Sequence, residues 1–413
     1  MANDQPPLLL RGGAVFDAES RAFRPGVDVL CSGGRIAAVR AGAAAPGGAT
    51  EWDCTGRWLI PGLIDCHVHI TSAGDPNEMT NARGEPLPVR AWKAAEYARR
   101  TLQAGITAVR DLGAAEHLNI QLAGAVESGL VEGPRILAAG LGVTMTGGHG
   151  HGFIAREADG PDEVRKGVRE QLRAGAKAIK LFASGGVMTP GVDPRSPSFT
   201  EDEMRAGVEE AHKAFRVVAA HAQATEGIKN AIRAGVDSIE HGVWLDDEAI
   251  GLMCERRTYL VPTLTAPHHI YHGGLAAGIP PFMVEKARQV LEDHIASYRA
   301  ALKAGVRVAM GTDQGTPLNR PGDNAQEIVR MAEHGLSPAA ALLAATAWAA
   351  DLLRLQGECG RIQEGLAADL LVLRADPIED VASLNRPENI DAVVKAGRIV
   401  AGQAAKRRTN EPA

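Results

Sequence analysis

Short apolar runs alternate with helical stretches through the middle of the chain. This alternation indicates βαβ units and a parallel sheet. We count eight strands, which is the number that closes a TIM barrel. The predicted strands span residues 58–70, 107–113, 135–144, 178–186, 217–223, 238–242, 259–266 and 306–312.

A weak internal repeat supports the strand count. The segments QAGITAV, RAGAKAI, RAGVDSI and KAGVRVA begin at residues 103, 173, 233 and 303. In each copy the Ala-Gly pair fits a helix that ends in a left-handed glycine, and the next apolar residues fit the following strand. Ala-Gly pairs are common in a chain with 47 glycines, so a single copy means little. Four copies in register with predicted strands indicate a repeated βα unit.

Both ends of the chain predict short β-strands joined by turn residues. We expect these ends to meet in one small β domain made of residues 1–58 and 361–413, beside a barrel of residues 59–360. The strands expected in the small domain span residues 8–16, 27–30, 35–39, 369–373 and 392–400.

Composition narrows the class of partner. The chain has 413 residues, 45% of them hydrophobic, so it can bury a large core. Its net charge of -6 gives no general attraction for nucleic acid or an anionic membrane. A run of about 20 apolar residues and a leader pattern are both missing, which predicts a cytoplasmic protein. The five scattered cysteines predict reduced structural thiols. We therefore expect a small-molecule partner.

The strongest local signal is PGLIDCHVHI at residues 61–70, where His67 and His69 lie two positions apart on a predicted strand. A period of two puts both imidazoles on the same face, toward the barrel interior. Paired neutral imidazoles are suitable metal ligands, although an isolated HxH is more often a pair of ordinary strand histidines.

Further polar residues fall near the carboxyl ends of later predicted strands. In a TIM barrel the carboxyl ends of the strands form one rim, where catalytic groups from distant parts of the chain meet. Singly, Lys180 is also explained as a snorkelling lysine, His221 and His241 as core histidines, and Asp313 as a helix N-cap. Their common position at the rim favours a functional site.

This residue set resembles the amidohydrolase superfamily, which has HxH on the first strand, Lys on the fourth, His on the fifth and sixth, and Asp on the eighth. Within it the chain is most similar to the imidazolonepropionase-related group, especially its prolidase-like, Xaa-Arg dipeptidase and ochratoxin-amidase-like members. The resemblance implies an α/β fold, a distorted (β/α)8 TIM barrel with a small discontinuous β-sandwich domain. The narrower match rests on TGGHGH at 146–151, EGIKNAIRAGVDSIEHG at 226–242 and GTDQGTPLNRPGDNAQEI at 311–328.

The resemblance also implies two divalent metal ions and a carboxylated lysine at Lys180. A protonated ammonium cannot ligate a cation, whereas the neutral amine can capture carbon dioxide and form a carbamate (N6-carboxylysine) that bridges two metals. Zinc is the default metal for His and carboxylate donors, and manganese or cobalt could use the same ligands. The implied ligands are His67, His69, Lys180, His221, His241 and Asp313.

The implied reaction is attack of a metal-bridging hydroxide on a carbonyl, with Asp313 as ligand and general base. His149, in the glycine-rich TGGHGH loop, is the candidate second donor to the developing oxyanion, and its alternative is an exposed loop histidine. Relatives often assemble as rings, so we expect a homo-oligomer.

Residues that bind the remainder of the substrate are less well specified. Val187, Met188 and Trp244 follow barrel strands and are candidates to line the pocket, although loop packing explains them equally well. Many prolidase-like relatives carry Tyr two residues after the fifth-strand histidine. Here that residue is Gln223, so their specificity does not transfer directly.

We expect hydrolysis of an amide bond in a dipeptide or N-acyl-L-amino acid, a dipeptidase or carboxypeptidase-like activity. The alternative is another electrophile on the same metals, such as a cyclic amide, a lactone or an organophosphate triester, because the fold does not choose the substrate. A non-catalytic scaffold is a third possibility, but it would have no physical need for the complete ligand set.

Overall fold

A computed structural model describes residues 6–77 and 84–403. Its strands are β1 (Leu8–Asp17), β2 (Ala22–Ser32), β3 (Arg35–Arg40), β4 (Thr50–Asp53), β5 (Trp58–Pro61), β6 (Leu63–Val68), β7 (Ile106–Asp111), β8 (Arg135–Ala138), β9 (Gly142–Thr144), β10 (Ala155–Glu157), β11 (Ala178–Phe182), β12 (Val217–Ala222), β13 (Ser238–His241), β14 (Tyr259–Val261), β15 (Leu370–Leu373), β16 (Ile390–Lys395) and β17 (Arg398–Ala401).

The helices are α1 (Leu87–Gln103), α2 (Leu118–Glu127), α3 (Gly160–Ala174), α4 (Glu201–Lys213), α5 (Thr225–Ala234), α6 (Asp247–Arg256), α7 (Thr265–Gly273), α8 (Pro281–Ala304), α9 (Gln326–Glu333), α10 (Pro338–Ala344) and α11 (Ala347–Leu352).

Strands from the two chain ends form one mixed sheet, as expected. Its order is β17-β16-β15-β5-β1-β2-β3, and β4 pairs with β1. The central strand β5 runs parallel to β1 and antiparallel to β15, so it joins the N-terminal and C-terminal halves. Apolar side chains from both halves, such as Leu10, Val29 and Leu370, pack into a common core. The small domain is therefore discontinuous in sequence.

Parallel strands and surrounding helices form the TIM barrel. One sheet has the order β6-β7-β8, and another has β9-β11-β12-β13-β14 with β10 at its edge. Residues 306–314 close the ring, because parallel bridges join Leu260 to Val308 and Val68 to Gln314. All residues of β6, β7, β11 and β12 are buried, as strands covered on both faces must be.

Several strand predictions need correction. The predicted strand 58–70 is two strands: β5 belongs to the small-domain sheet, and β6 is the first barrel strand. The strand 135–144 is divided into β8 and β9, and the strand predicted over 259–266 ends at Val261, before α7 begins at Thr265. Residues 306–312 contribute one isolated bridge, at Val308, instead of a regular strand. The apolar runs therefore predicted where the barrel strands lie. The hydrophobic pattern did not predict where strands bend or where helices begin.

Glycine caps explain the carboxyl ends of several helices. α3, α5 and α8 each end at a left-handed glycine, namely Gly175, Gly235 and Gly305. These are glycines of the predicted repeat.

Within the described residues, no helix has both the length and the apolar character that crossing a membrane requires.

Candidate metal centre

Three side chains meet at the carboxyl ends of the first and last barrel strands. Nε2 of His67 and Nε2 of His69 each lie 3.3 Å from Oδ1 of Asp313. Potential ligand atoms of the three residues lie within 4.8 Å of one another. Imidazole nitrogens and a carboxylate at this spacing form a donor set for a divalent cation.

A buried ion pair orients His67. Oε2 of Glu240 lies 2.8 Å from His67 Nδ1, while Oε1 accepts hydrogen bonds from Arg110 at 2.8 Å and from Ser238 at 2.5 Å. Burial alone would raise the pKa of Glu240, but the guanidinium of Arg110 and the His67 hydrogen bond hold that pKa at about 2. A carboxylate on Nδ1 puts the ring proton there and leaves the lone pair of Nε2 for a metal.

The other predicted histidine ligands follow the same rule. Each has one ring nitrogen in a hydrogen bond with a protein oxygen, which leaves the other nitrogen for a cation. The bonds join His69 Nδ1 to Gly113 O at 3.0 Å, His221 Nε2 to Gly185 O at 2.8 Å, and His241 Nδ1 to Thr263 Oγ1 at 2.6 Å.

Ring contacts bring the histidines of the middle strands to the same mouth. The ring centroid of His241 lies 5.2 Å from that of His67 and 4.6 Å from that of His221. Lys180 lines the same cavity and is 2% exposed. Burial lowers the pKa of Lys180 to about 8, although the carboxylates of Glu240 and Asp313 oppose this effect.

Positive φ angles occur at three positions around the site. His241, Thr263 and Asp313 have φ values of 73°, 53° and 59°. This left-handed region is unfavourable for residues with a Cβ atom, and such strain concentrates at functional sites. Sequence patterns give no warning of it.

Asp65 ties the first barrel strand to the last. Its carboxylate accepts hydrogen bonds from His67 N, from Thr312 N and Oγ1, and from Asn324 Nδ2. Because His67 and Asp313 are attached to the two segments thus joined, this carboxylate supports their mutual spacing. Sequence reasoning missed Asp65 and Glu240, although both lie in quoted motifs, PGLID and SIEHG.

His149 lies beside His221, with ring centroids 4.6 Å apart. Its Nδ1 is 2.8 Å from Thr189 Oγ1. Burial, assisted by the nearby charge of Lys180, lowers the pKa of His149 to about 3. The ring is therefore neutral and faces the cavity, and the alternative of an exposed loop histidine is wrong.

A cavity containing about 890 Å3 of empty space, including its open mouth, leads to these side chains. Val187, Met188 and Gln223 line it. Trp244 lies outside the wall formed by the described residues: its Nε1 donates to Asp293 Oδ2 at 2.7 Å. Apolar side chains form much of the wall, namely Phe153, Ile154, Phe182, Val187, Met188, Val243, Ile270 and Val290.

Arginine and α7 histidine side chains, which are groups that commonly hold a carboxylate, lie outside the cavity wall that the described residues form. Arg195 stacks on Trp244 with its guanidinium carbon 4.4 Å from the ring centroid. Arg195, Arg320 and the α7 histidines His268, His269 and His272 are all absent from the cavity wall that the described residues form. The opposite face of α7 supplies the wall there, through Ala266, Pro267 and Ile270.

The amino-acid sequence of residues 58–400 matches the Amidohydrolase family model. The chain belongs to the amidohydrolase family. This assignment agrees with the barrel, the discontinuous small domain and the His-His-Asp donor set, which together were expected from the sequence.

Similar proteins narrow the comparison for this amidohydrolase. Ochratoxinase of Aspergillus niger is 33% identical over 371 residues, which cover 83% of this chain and 76% of that protein. A Xaa-Pro dipeptidase crystal structure with methionine bound in the active site has a TM-score of 0.86 at 32% identity, with 96% and 100% of the two chains covered. A prolidase complexed with N-methylphosphonate-L-proline has a TM-score of 0.89 at 34% identity, with the same coverage.

Proposed function

We propose that this amidohydrolase cleaves the amide bond of a dipeptide or an N-acyl-L-amino acid, using two divalent cations. The observation that carries the proposal is the His67, His69 and Asp313 donor cluster inside a cavity with a largely apolar wall. Similarity to a Xaa-Pro dipeptidase and a prolidase supports this class of substrate.

The free ring nitrogens favour two metal positions. His67, His69 and Asp313 are proposed to hold one cation, and His221 with His241 the other. Bound cations would lower the pKa of a shared water and polarise the substrate carbonyl. Zinc is the metal we expect for this set of imidazole and carboxylate donors.

Lys180 is the residue proposed to join the two positions. Its buried amine, with a pKa of about 8, is neutral more often than a solvent-exposed lysine at the same pH. A neutral amine can take up carbon dioxide with release of one proton to solvent, and the resulting carbamate on Lys180 would have the negative charge that two adjacent cations require.

Asp313 and His149 are proposed to handle the proton and the oxyanion. Oδ1 of Asp313 faces His67 and His69, so Oδ2 is the atom that takes a proton from the attacking water and returns it to the departing amine. His149 donates a hydrogen bond from Nε2 to the carbonyl oxygen as negative charge develops.

The apolar wall and Gln223 are proposed to select the substrate. Val187 and Met188 favour an apolar side chain next to the scissile bond. Gln223 is 6% exposed, and its Oε1 is buried without a hydrogen-bond partner among the described residues. A buried amide oxygen without a partner is costly, so a hydrogen bond from a polar group of the substrate to Gln223 would stabilise the complex.

A substrate library tests this proposal. Zinc-loaded enzyme is incubated with L,L-dipeptides, N-acyl-L-amino acids, lactones and phosphotriesters, and released products are quantified by mass spectrometry. We expect amides with a free α-carboxylate on the amine side to be cleaved fastest. Turnover of a lactone or phosphotriester without any such amide would overturn the proposal. Light scattering on the same sample tests the expected homo-oligomer.

A further inference from the structure

The loop that follows β11, residues 183–198, touches two histidines of the site. Its Gly185 carbonyl accepts a hydrogen bond from His221 Nε2 at 2.8 Å. Thr189 is 1% exposed, and its hydroxyl is 2.8 Å from His149 Nδ1. One loop therefore fixes the orientation of a proposed metal ligand and of the proposed oxyanion donor.

The hydrogen bonds of Thr189 determine which nitrogen of His149 carries the proton. The amide N–H of Gly150 donates to Thr189 Oγ1 at 3.0 Å. Gly150 N can only donate, and His149 Nδ1 is the one acceptor that the described residues offer to the buried Thr189 hydroxyl proton, so we assign the hydroxyl as the donor to that nitrogen. A neutral imidazole that accepts at Nδ1 carries its proton on Nε2. This tautomer is the one that can donate to an oxyanion.

The loop backbone packs directly on the His149 ring. A Cβ atom at Gly186 would lie 2.6 Å from His149 Nε2, and one at Gly185 would lie 2.0 Å from Asp193 O. These contacts leave no space for a side chain at either glycine. A small shift of the loop would therefore move both histidine partners together.

Lys286, on α8, holds this loop from the outside. Its ammonium donates to the carbonyl oxygens of Gly186 at 3.2 Å, Thr189 at 2.7 Å and Val192 at 2.5 Å. An ammonium group has three N–H donors, so each has an acceptor on the loop. The side chain is half-buried and does not line the cavity formed by the described residues.

We propose that Lys286 is a positioning residue that clamps residues 186–192 and thereby sets the His149 tautomer and the orientation of His221. It acts through Thr189 and Gly185 and does not touch the substrate. Its effect on turnover rests on the proposed amide substrate and its effect on metal affinity rests on the proposed ligand role of His221, whereas its effect on the tautomer rests on neither.

Replacing Lys286 tests the clamp. Lys286→Met keeps much of the length and removes all three donors. We expect zinc affinity, measured by chelator competition, to fall about tenfold, as for other outer partners of metal-bound histidines. Turnover of an amide substrate should fall on the order of 10-fold to 100-fold, with KM changed little. Arg288→Met is the matched control, because Arg288 lies on the same helix and pairs with Glu285.

Replacing Thr189 tests the tautomer independently of substrate. Nitrogen-15 NMR of histidine-labelled, zinc-loaded protein distinguishes Nδ1–H from Nε2–H, and a His149→Gln spectrum identifies the His149 signals. We expect Thr189→Val to lose the Nε2–H signature and Thr189→Ser to retain it. Lys286→Met should weaken the same signature.

These measurements separate the two proposals. If wild-type enzyme cleaves no amide but Lys286→Met shifts the His149 tautomer and zinc affinity, the clamp stands and the proposed function fails. If Thr189→Val and Lys286→Met keep the wild-type spectrum and zinc affinity, the clamp is overturned. Circular dichroism checks folding, and if Lys286→Met does not fold, the Thr189 pair alone decides.

Discussion

At the scale of single residues, hydrogen-bond partners decide which histidine nitrogen can bind a cation. Glu240 takes Nδ1 of His67, and a backbone carbonyl takes Nε2 of His221. The two rings therefore present different nitrogens to the cavity. This division of donors is the strongest physical support for a metal centre in this chain.

Replacing Glu240 should weaken metal binding. Glu240→Gln removes the charge that holds the proton on His67 Nδ1, and leaves Arg110 buried without its partner. We expect zinc affinity to fall by roughly 10-fold to 100-fold in chelator competition. Glu248→Gln, which removes a charge on α6 that pairs with Lys229, is the control. Equal affinities in both variants would contradict the proposed role of Glu240.

Lys180 and Asp313 should give different phenotypes. Lys180→Ala removes the proposed bridging anion, so metal content and activity should fall together, and acetate or propionate should restore part of both.

Asp313→Asn can still offer an oxygen to a metal but cannot accept a proton. Turnover should then fall by about two to four orders of magnitude with metal largely retained and no rescue by acid. Near-normal turnover in Lys180→Ala would exclude the bridging role of Lys180, and near-normal turnover in Asp313→Asn would exclude the general-base role of Asp313.

The sequence predicted which candidate ligands lie together, but it did not predict the residues that orient them. His67, His69, Lys180, His221 and Asp313 all line one cavity, because carboxyl ends of parallel strands meet at one rim. Glu240, Thr189 and Lys286 act through contacts between distant elements, and one sequence has no signal for such pairs. Trp244 was placed in the pocket only from its position after a strand, and its side chain packs outside the wall.

At the scale of elements, Glu327 on α9 links to the start of α7. Its carboxylate accepts hydrogen bonds from Leu264 N and from Thr265 N and Oγ1. Burial outweighs these bonds and raises the pKa of Glu327 from 4.5 to about 7. The α7 helix carries part of the cavity wall, so this contact supports the pocket.

The raised pKa predicts a pH dependence of stability. A folded-state pKa above the unfolded value gives stability that is complete below about pH 4.5 and is lost as the pH rises through about 7. Between about pH 5.5 and 8, the free energy of unfolding of the wild type should fall by roughly 2 kcal/mol relative to Glu327→Gln. Urea unfolding at several pH values measures this difference, and parallel curves for the two proteins would contradict it.

Two helical glycines should respond oppositely to the same substitution. A Cβ at Gly251 on α6 meets nothing within 4 Å, whereas one at Gly227 on α5 would lie 2.4 Å from Ala183 O. Gly251→Ala should raise the free energy of unfolding by about 0.5–1 kcal/mol. Gly227→Ala should lower it by about 1–3 kcal/mol. Urea midpoints test both, and a gain at Gly227 would contradict the packing.

Element boundaries were the least predictable part of the fold. The sequence predicts a strand over residues 306–312, but in that range only Val308 forms a bridge, to Leu260 of β14, and the bridge to Val68 of β6 comes from Gln314. Thr265 begins a helix inside a predicted strand because the Glu327 carboxylate satisfies the first amides of α7. That partner lies 62 residues away in sequence, so local patterns could not indicate it.

At the scale of the whole molecule, one chain forms a barrel and a sheet that uses both ends. Both could be anticipated, because alternating helices and strands indicate a barrel and two strand groups indicate a shared domain. The boundaries at residues 58 and 361 stay predictions. So does the assembly state.

The central claim is that amide hydrolysis requires two cations in this cavity. The most direct measurement titrates metal-free enzyme with zinc, in the presence of bicarbonate, and follows both bound metal and cleavage of the best amide substrate. The account predicts that activity rises until about two equivalents are bound and then stays constant. Full activity at one equivalent, or without added metal, would contradict it.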